Sequence, residues 1–216
     1  MTTDARSRGA WRDTAATRVF GSLFSWFSLA LALTLLFQSV SALADLGGSC
    51  ARGGPYEIAV ECTDAIVLFT PWSVFVGIGA VFLGAWLAQG FGAAILLFAW
   101  PGLFVSLAVV FFRSLIEYGD LTGLFIGILF AAMGLAPLVL VLPAAPQRML
   151  LGRVDAAGRA FWEARPARGH VLSRRPPREP GDNHPSIGDW VLSASVAGGG
   201  IALGVWLGVL WFASVA

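Results

Sequence analysis

The first residues to consider for chemistry are the two cysteines, Cys50 and Cys62, which lie together in one short polar stretch. Thiol oxidoreductases generally use a closely spaced C-x-x-C pair whose first thiol is activated. Here eleven residues separate the two cysteines, and no second pair could relay electrons. The spacing therefore favours a structural disulfide between Cys50 and Cys62, provided that the loop faces an oxidising compartment.

Other reactive groups are sparse. His170 and His184 lie in an Arg- and Pro-rich segment without cysteine or carboxylate at metal-ligand spacing, so we interpret both as solvated loop residues. The sequence contains no phosphate loop, nucleophile elbow, H-E-x-x-H motif or dinucleotide fingerprint. We therefore expect no enzymatic activity, no cofactor and no nucleic-acid partner.

The longest feature of the chain is residues 65–112, which contain no charged side chain. As one helix this stretch would be about twice as long as a bilayer core is thick. It is therefore predicted to form two membrane spans joined by a tight turn at residues 88–92. Ionisable groups within spans are typical of ion-coupled transporters and pumps, and this stretch offers none.

Composition extends this pattern to most of the chain, since 57% of its 216 residues are hydrophobic and 12% are charged. Further apolar runs predict an all-α integral membrane protein with five transmembrane helices. A basic tail (1–18) precedes four spans (19–147) that include the disulfide loop (45–64), and a basic loop (148–189) precedes the last span (190–216). Cleavage of residues 1–44 as a signal peptide is the alternative, because Ser41-Ala42-Leu43-Ala44 resembles a cleavage site.

The basic loop divides into two parts. In the first, Leu150, Val154, Ala157 and Phe161 recur at helical spacing, which predicts an amphipathic helix lying along the headgroup surface. In the second, five prolines favour an extended or disordered segment. Contact with anionic lipid is predicted as an alternative to a purely topogenic role for Arg148, Arg153, Arg159, Arg174 and Arg175.

Arginine distribution predicts the orientation. The tail has four arginines and the basic loop eight, whereas the disulfide loop has only Arg52 and the connection between the third and fourth spans only Arg113. By the positive-inside rule, the N-terminus is cytoplasmic, and the disulfide loop and C-terminus lie outside a bacterial plasma membrane.

Small residues recur every four positions on two spans. Gly123, Gly127 and Ala131 form one stripe on the fourth span, and Gly200, Gly204 and Gly208 form another on the fifth. Such stripes permit close backbone approach, so we predict that the two pack against each other. Packing against another subunit or a partner protein is the alternative.

The segment from Cys50 to Ile58, CARGGPYEI, resembles uncharacterised small polytopic membrane proteins of actinobacteria. This resemblance implies no particular activity. Two functions follow from the residues. The first is a non-enzymatic accessory or scaffold protein surrounded by membrane lipids and binding a protein partner or a second copy. The alternative is a transporter or channel-like protein with a cavity near Pro101, Pro137 and Gln38, because prolines within spans break helices and can open cavities.

Overall fold

The computed structural model describes residues 15–47, 50–51, 60–88, 90–119, 121–141, 146–152 and 187–216. Within these ranges the chain forms six helices, with bounds α1 Ala15–Asp45, α2 Asp64–Leu87, α3 Ile95–Tyr118, α4 Leu121–Val141, α5 Pro146–Leu151 and α6 Ile187–Val215. All except α5 are long and apolar enough to cross a membrane. The prediction of an all-α protein with five spans is confirmed. Helices are expected because a bilayer core offers backbone groups no water to bond with.

Helix α1 is the centre of the fold. Both α6 and α2 pack along its length, α3 contacts it less extensively, and α4 packs mainly on α3. In the most apolar window of α1, 56% of the residues are buried, against 17% in the corresponding window of α4. A hydrophobic core forms where α1, α2 and α6 meet, around Leu35, Ala65 and Phe69. The fold is therefore a three-helix body with α3 and α4 attached to one side.

The glycine stripe of α6 packs on α1. An added Cβ atom on Gly204 would lie 2.4 Å from the carbonyl oxygen of Phe27, and one on Gly208 would lie 2.9 Å from Cβ of Thr34. Gly200 is also buried against α1. The predicted pairing of this stripe with the fourth span is wrong. Because α1 occupies the centre, the flattest face of α6 meets α1 and not α4.

The stripe of α4 meets α3. A Cβ atom on Gly127 would lie 2.7 Å from the ring of Phe112, so the missing side chain makes room for an aromatic ring. Gly123 is buried and Ala131 half-buried on the same helix. The ring centroid of Phe130 lies 5.7 Å from that of Phe104 and 5.4 Å from that of Phe111. Aromatic side chains thus fill the α3–α4 interface.

The predicted amphipathic helix is only partly within the described residues. Helix α5 ends at Leu151, and Gly152 adopts a φ of 78°, which is not helical. Met149 and Leu151 are buried against the rest of the protein. The remainder of the predicted helix and the proline-rich part of the loop, with both histidines, lie outside the described residues.

Candidate functional site

A cleft of about 800 Å³ lies between two pairs of helices, with α1 and α6 on one side and α3 and α4 on the other. It exists because α4 packs mainly on α3, and among the described residues none covers the adjoining face of α6. The described residues that line it come from α1, α3, α4, α5 and α6 and from the α2–α3 turn, and none of these carries a charge. We call this space the lateral cleft.

The walls of the lateral cleft are apolar. Helix α6 contributes Ala197, Ile201, Val205 and Val209, which recur every four residues and therefore share one face. Helix α1 contributes Trp26 and Leu33 on the same side, and the ring centroid of Trp26 lies 5.8 Å from that of Phe98 on α3. Such walls suit hydrocarbon and provide few hydrogen bonds.

Hydrogen-bonded segments of the α2–α3 turn and α5 cross one end of the lateral cleft, and we call it the closed end. The indole N–H of Trp26 donates to the carbonyl of Ala93 over 3.3 Å, which holds the α2–α3 turn against α1. The backbone N–H of Ala94 donates to the carbonyl of Met149 over 2.9 Å, and the Ser193 hydroxyl donates to the carbonyl of Leu150. Turn, α5 and α6 are thus joined by hydrogen bonds across this end.

Gly152 allows that closure. It forms an isolated β-bridge with Phe91, and an added Cβ would lie 2.2 Å from the carbonyl oxygen of Gly90. No larger residue could approach the turn so closely without moving the backbone. The tight turn between the second and third spans is confirmed, since α2 ends at Leu87 and α3 begins at Ile95. Its contact with α5 was not predicted, because periodicity carries no information about long-range backbone pairing.

Two charged residues are buried near the closed end. Arg18 on α1 is 7% exposed and Asp189 on α6 is 1% exposed, and both make polar interactions. Phe91 packs between their neighbours Val19 and Leu192. The sequence assigned Arg18 to the basic tail and Asp189 to the basic loop. Both helices begin earlier than their charge-free runs, which brings these residues into the protein.

The opposite end contains hydrogen-bonding groups, and we call it the polar end. Gln38 on α1 lines it and is half-buried, and its amide offers both donors and an acceptor. Thr34 and Ser106 also line this part, and their hydroxyls donate to the carbonyls of Ala30 and Leu103 over 2.8 and 2.7 Å. The hydroxyl oxygens keep lone pairs that can accept further hydrogen bonds.

Beyond the polar end, the seam between α1 and α3 becomes charged. Arg113 Nε lies 2.8 Å from Glu117 Oε1, and Arg113 Nη2 lies 3.7 Å from Asp45 Oδ1. About half of each of the Arg113 and Asp45 side chains is exposed.

Ser41, one turn after Gln38, is 6% exposed, and its hydroxyl has no hydrogen-bond partner among the described residues. It borders a void of about 10 Å³, which has room for about one water molecule.

The predicted cavity residues come together in part. Gln38 and Pro101 both line the lateral cleft, and Leu135 and Leu138 on either side of Pro137 line it as well.

Cys50 and Cys62 form a disulfide with their Cα atoms 5.0 Å apart. The backbone of Arg148 lies in α5, but its side chain is outside the described part of the structure. The other predicted lipid-contacting arginines, Arg153, Arg159, Arg174 and Arg175, lie outside the described residues.

The described residues contain no group of three or more His, Cys, Asp or Glu side chains that could hold a metal ion. No known protein-family model, curated protein or solved structure matches the chain. The uncharged described walls of the lateral cleft and the polar groups at one end allow binding of an apolar or amphipathic molecule.

Proposed function

We propose that this integral membrane protein binds a hydrophobic molecule of the bilayer in the lateral cleft. The observation that carries the proposal is the cleft itself, with about 800 Å³ of space and uncharged walls. Pockets for small ligands commonly have 300–1,000 Å³, mostly apolar walls and a few placed polar groups. Of the two functions expected from the sequence, the transporter or channel-like protein is the one that requires a cavity near Pro101, Pro137 and Gln38, and binding in the lateral cleft agrees with it.

An accessory or scaffold role is the second candidate. The glycine stripes give it less support than the sequence suggested, because those of α4 and α6 pack against α3 and α1 of the same chain. The outer face of α4 leaves room for a partner, since α4 packs mainly on α3 and its exposed residues Phe125, Ile128 and Leu129 can face either lipid or another protein. Purification in mild detergent followed by mass spectrometry tests this role, and a stoichiometric protein partner is its expected result.

We further propose that the protein lies in a bacterial plasma membrane with its N-terminus in the cytoplasm. The arginine distribution supports this orientation. Under this proposal the closed end of the lateral cleft lies toward the cytoplasm, and the disulfide is in an oxidising compartment. Contact of the basic loop with anionic lipid stays a prediction.

Native mass spectrometry of the purified protein tests the binding proposal, with phospholipid added in detergent. Val205→Trp places a large ring on a residue that lines the lateral cleft, whereas Leu203→Trp places the same ring on an exposed residue of α6 outside it. We expect wild type and Leu203→Trp to retain one lipid, and Val205→Trp to retain at least about fivefold less. Equal retention by all three proteins contradicts the proposal.

A further inference from the structure

We propose that the occupant of the lateral cleft is one phospholipid with a zwitterionic, amine-bearing head group. Its acyl chains point toward Trp26 at the closed end, and its head group lies beyond Gln38 at the Asp45–Arg113–Glu117 cluster. This inference rests on the proposed binding of a hydrophobic molecule and adds the class of the molecule and its direction.

The closed end favours a lipid over a partner helix. A helix of another protein that crosses the membrane would have to continue past both ends of the lateral cleft. The α2–α3 turn and α5 lie across one end, where Ala93 and Leu150 line the cleft and the neighbouring backbone groups are hydrogen-bonded. A lipid acyl chain can end inside the cleft and does not have to pass this end.

The lateral cleft is long enough for an extended acyl chain. Trp26 and Gln38 are twelve residues apart on α1 and both line the cleft, which corresponds to about 18 Å of helix. Ala32, midway between them, packs near Gly77 in the middle of α2, so the cleft extends to both sides of the bilayer midplane. An acyl chain that lies extended in the cleft can therefore reach from the level of Gln38 to the level of Trp26.

Polarity increases in one direction along the seam between α1 and α3. Gln38 and Ser106 line the polar end, and one turn further on Ser41 and Val110 border the small void. The buried Ser41 hydroxyl still offers a donor there, and Asp45, Arg113 and Glu117 border the same void. A lipid presents the same sequence of groups, from hydrocarbon through ester oxygens to a charged head.

The charges of the cluster select the head group. One guanidinium and two carboxylates leave a formal excess of one negative charge. A phosphate can approach the guanidinium of Arg113, while an amine can approach the carboxylates of Asp45 and Glu117. An anionic head group without an amine would meet two like charges and gain one favourable contact. Charge complementarity thus favours phosphatidylethanolamine over phosphatidylglycerol.

Head-group selection is tested by native mass spectrometry with an equimolar mixture of phosphatidylethanolamine and phosphatidylglycerol that have identical chains. We expect wild type to retain the first at least about threefold more than the second. The Asp45→Asn/Glu117→Gln variant should lose this preference. Asp64→Asn, which removes a carboxylate at the start of α2, should keep it. Equal retention by wild type, or a preference that survives the double substitution, overturns the assignment of the head group.

Lipid direction is tested in phosphatidylcholine vesicles that contain phosphatidylethanolamine brominated either at the end of the acyl chain or near its carboxyl end. The difference in fluorescence between wild type and Trp26→Phe reports Trp26, and we expect chain-end bromine to quench it at least about twofold more. The reverse order overturns the direction while leaving lipid retention, and thus the proposed function, intact. Equal lipid retention by wild type, Leu203→Trp and Val205→Trp, by contrast, removes both the proposed function and this inference.

Discussion

The indole nitrogen of Trp100 on α3 donates a hydrogen bond to the carbonyl oxygen of Met133 on α4, over 3.0 Å. In a regular helix that carbonyl accepts from the residue four positions later, which here is Pro137 and has no backbone N–H. Trp100 thus provides the donor that the proline lacks. Because an unsatisfied carbonyl in a bilayer is costly, this bond fixes α4 against α3 beside the lateral cleft.

Replacing Trp100 by Phe should therefore lower the free energy of unfolding by about 1–2 kcal/mol, in addition to the cost of the smaller ring. In a Pro137→Ala background the backbone N–H of residue 137 can bond Met133 itself. The cost of Trp100→Phe should then fall by at least half. A double-mutant cycle measured by denaturant unfolding in mixed micelles gives the coupling between the two positions. Identical costs in both backgrounds would show that the indole does not serve the carbonyl left by the proline.

Close contact between α6 and α1 predicts that even one methyl group is harmful at Gly204. Because an added Cβ would lie 2.4 Å from the Phe27 carbonyl oxygen, Gly204→Ala should push the helices apart and cost about 2 kcal/mol or more. Nothing lies within 4 Å of the corresponding position on Gly198, which is in the same helix. Gly198→Ala should be neutral or slightly stabilising. A thermal melt in detergent that ranks the two variants in the opposite order argues against this interface.

The identity of the helix that meets the α6 stripe can be tested directly by cross-linking. Cβ atoms at positions 208 and 34 would lie 2.9 Å apart, which is slightly short of the usual disulfide separation and can be met by a small shift. In a background in which both native cysteines are replaced by serine, Gly208→Cys with Thr34→Cys should form a disulfide on mild oxidation. Gly208→Cys with Gly127→Cys, the pairing expected from sequence alone, should not.

Sequence was sufficient for the helices because length and charge-free composition decide membrane spans without knowledge of packing. The sequence was insufficient to predict which helices pack against each other. Both glycine stripes were recognisable as close-packing faces, but a stripe specifies how near a partner comes and not which helix it is. The central position of α1 depends on all five spans at once. Gln38 and Pro101 were singled out as cavity residues, whereas Val205 and the contact of α5 with the α2–α3 turn follow only from the tertiary structure.

The orientation can be tested with single cysteines in the background that lacks Cys50 and Cys62. Cysteines placed at Gly53 and at Ala216 should react with an impermeant maleimide in intact cells, because both lie on the side with few arginines. A cysteine at Gly169, in the segment with eight arginines, should react only after the membrane is permeabilised. Labelling of Gly169 in intact cells would reverse the orientation.

The last prediction concerns the disulfide between Cys50 and Cys62, which closes a loop with a sequence separation of 12 between α1 and α2. Next to it, the N–H of Ala51 donates to the carbonyl of Val60 over 3.1 Å, and the N–H of Cys62 donates to that of Ala51 over 3.2 Å. Closing a loop of this size stabilises the folded state by about 3 kcal/mol, chiefly by restricting the unfolded chain.

A reducing agent should therefore lower the melting temperature of the wild-type protein in detergent. It should leave unchanged the melting temperature of the Cys50→Ser/Cys62→Ser variant, which should already match that of the reduced wild type. Before reduction, thiol labelling of denatured wild-type protein should detect no free thiol, since both cysteines of the chain are in the bond. If the reducing agent lowered both melting temperatures equally, its effect would not act through this bond, and the stabilising role of the disulfide would be wrong.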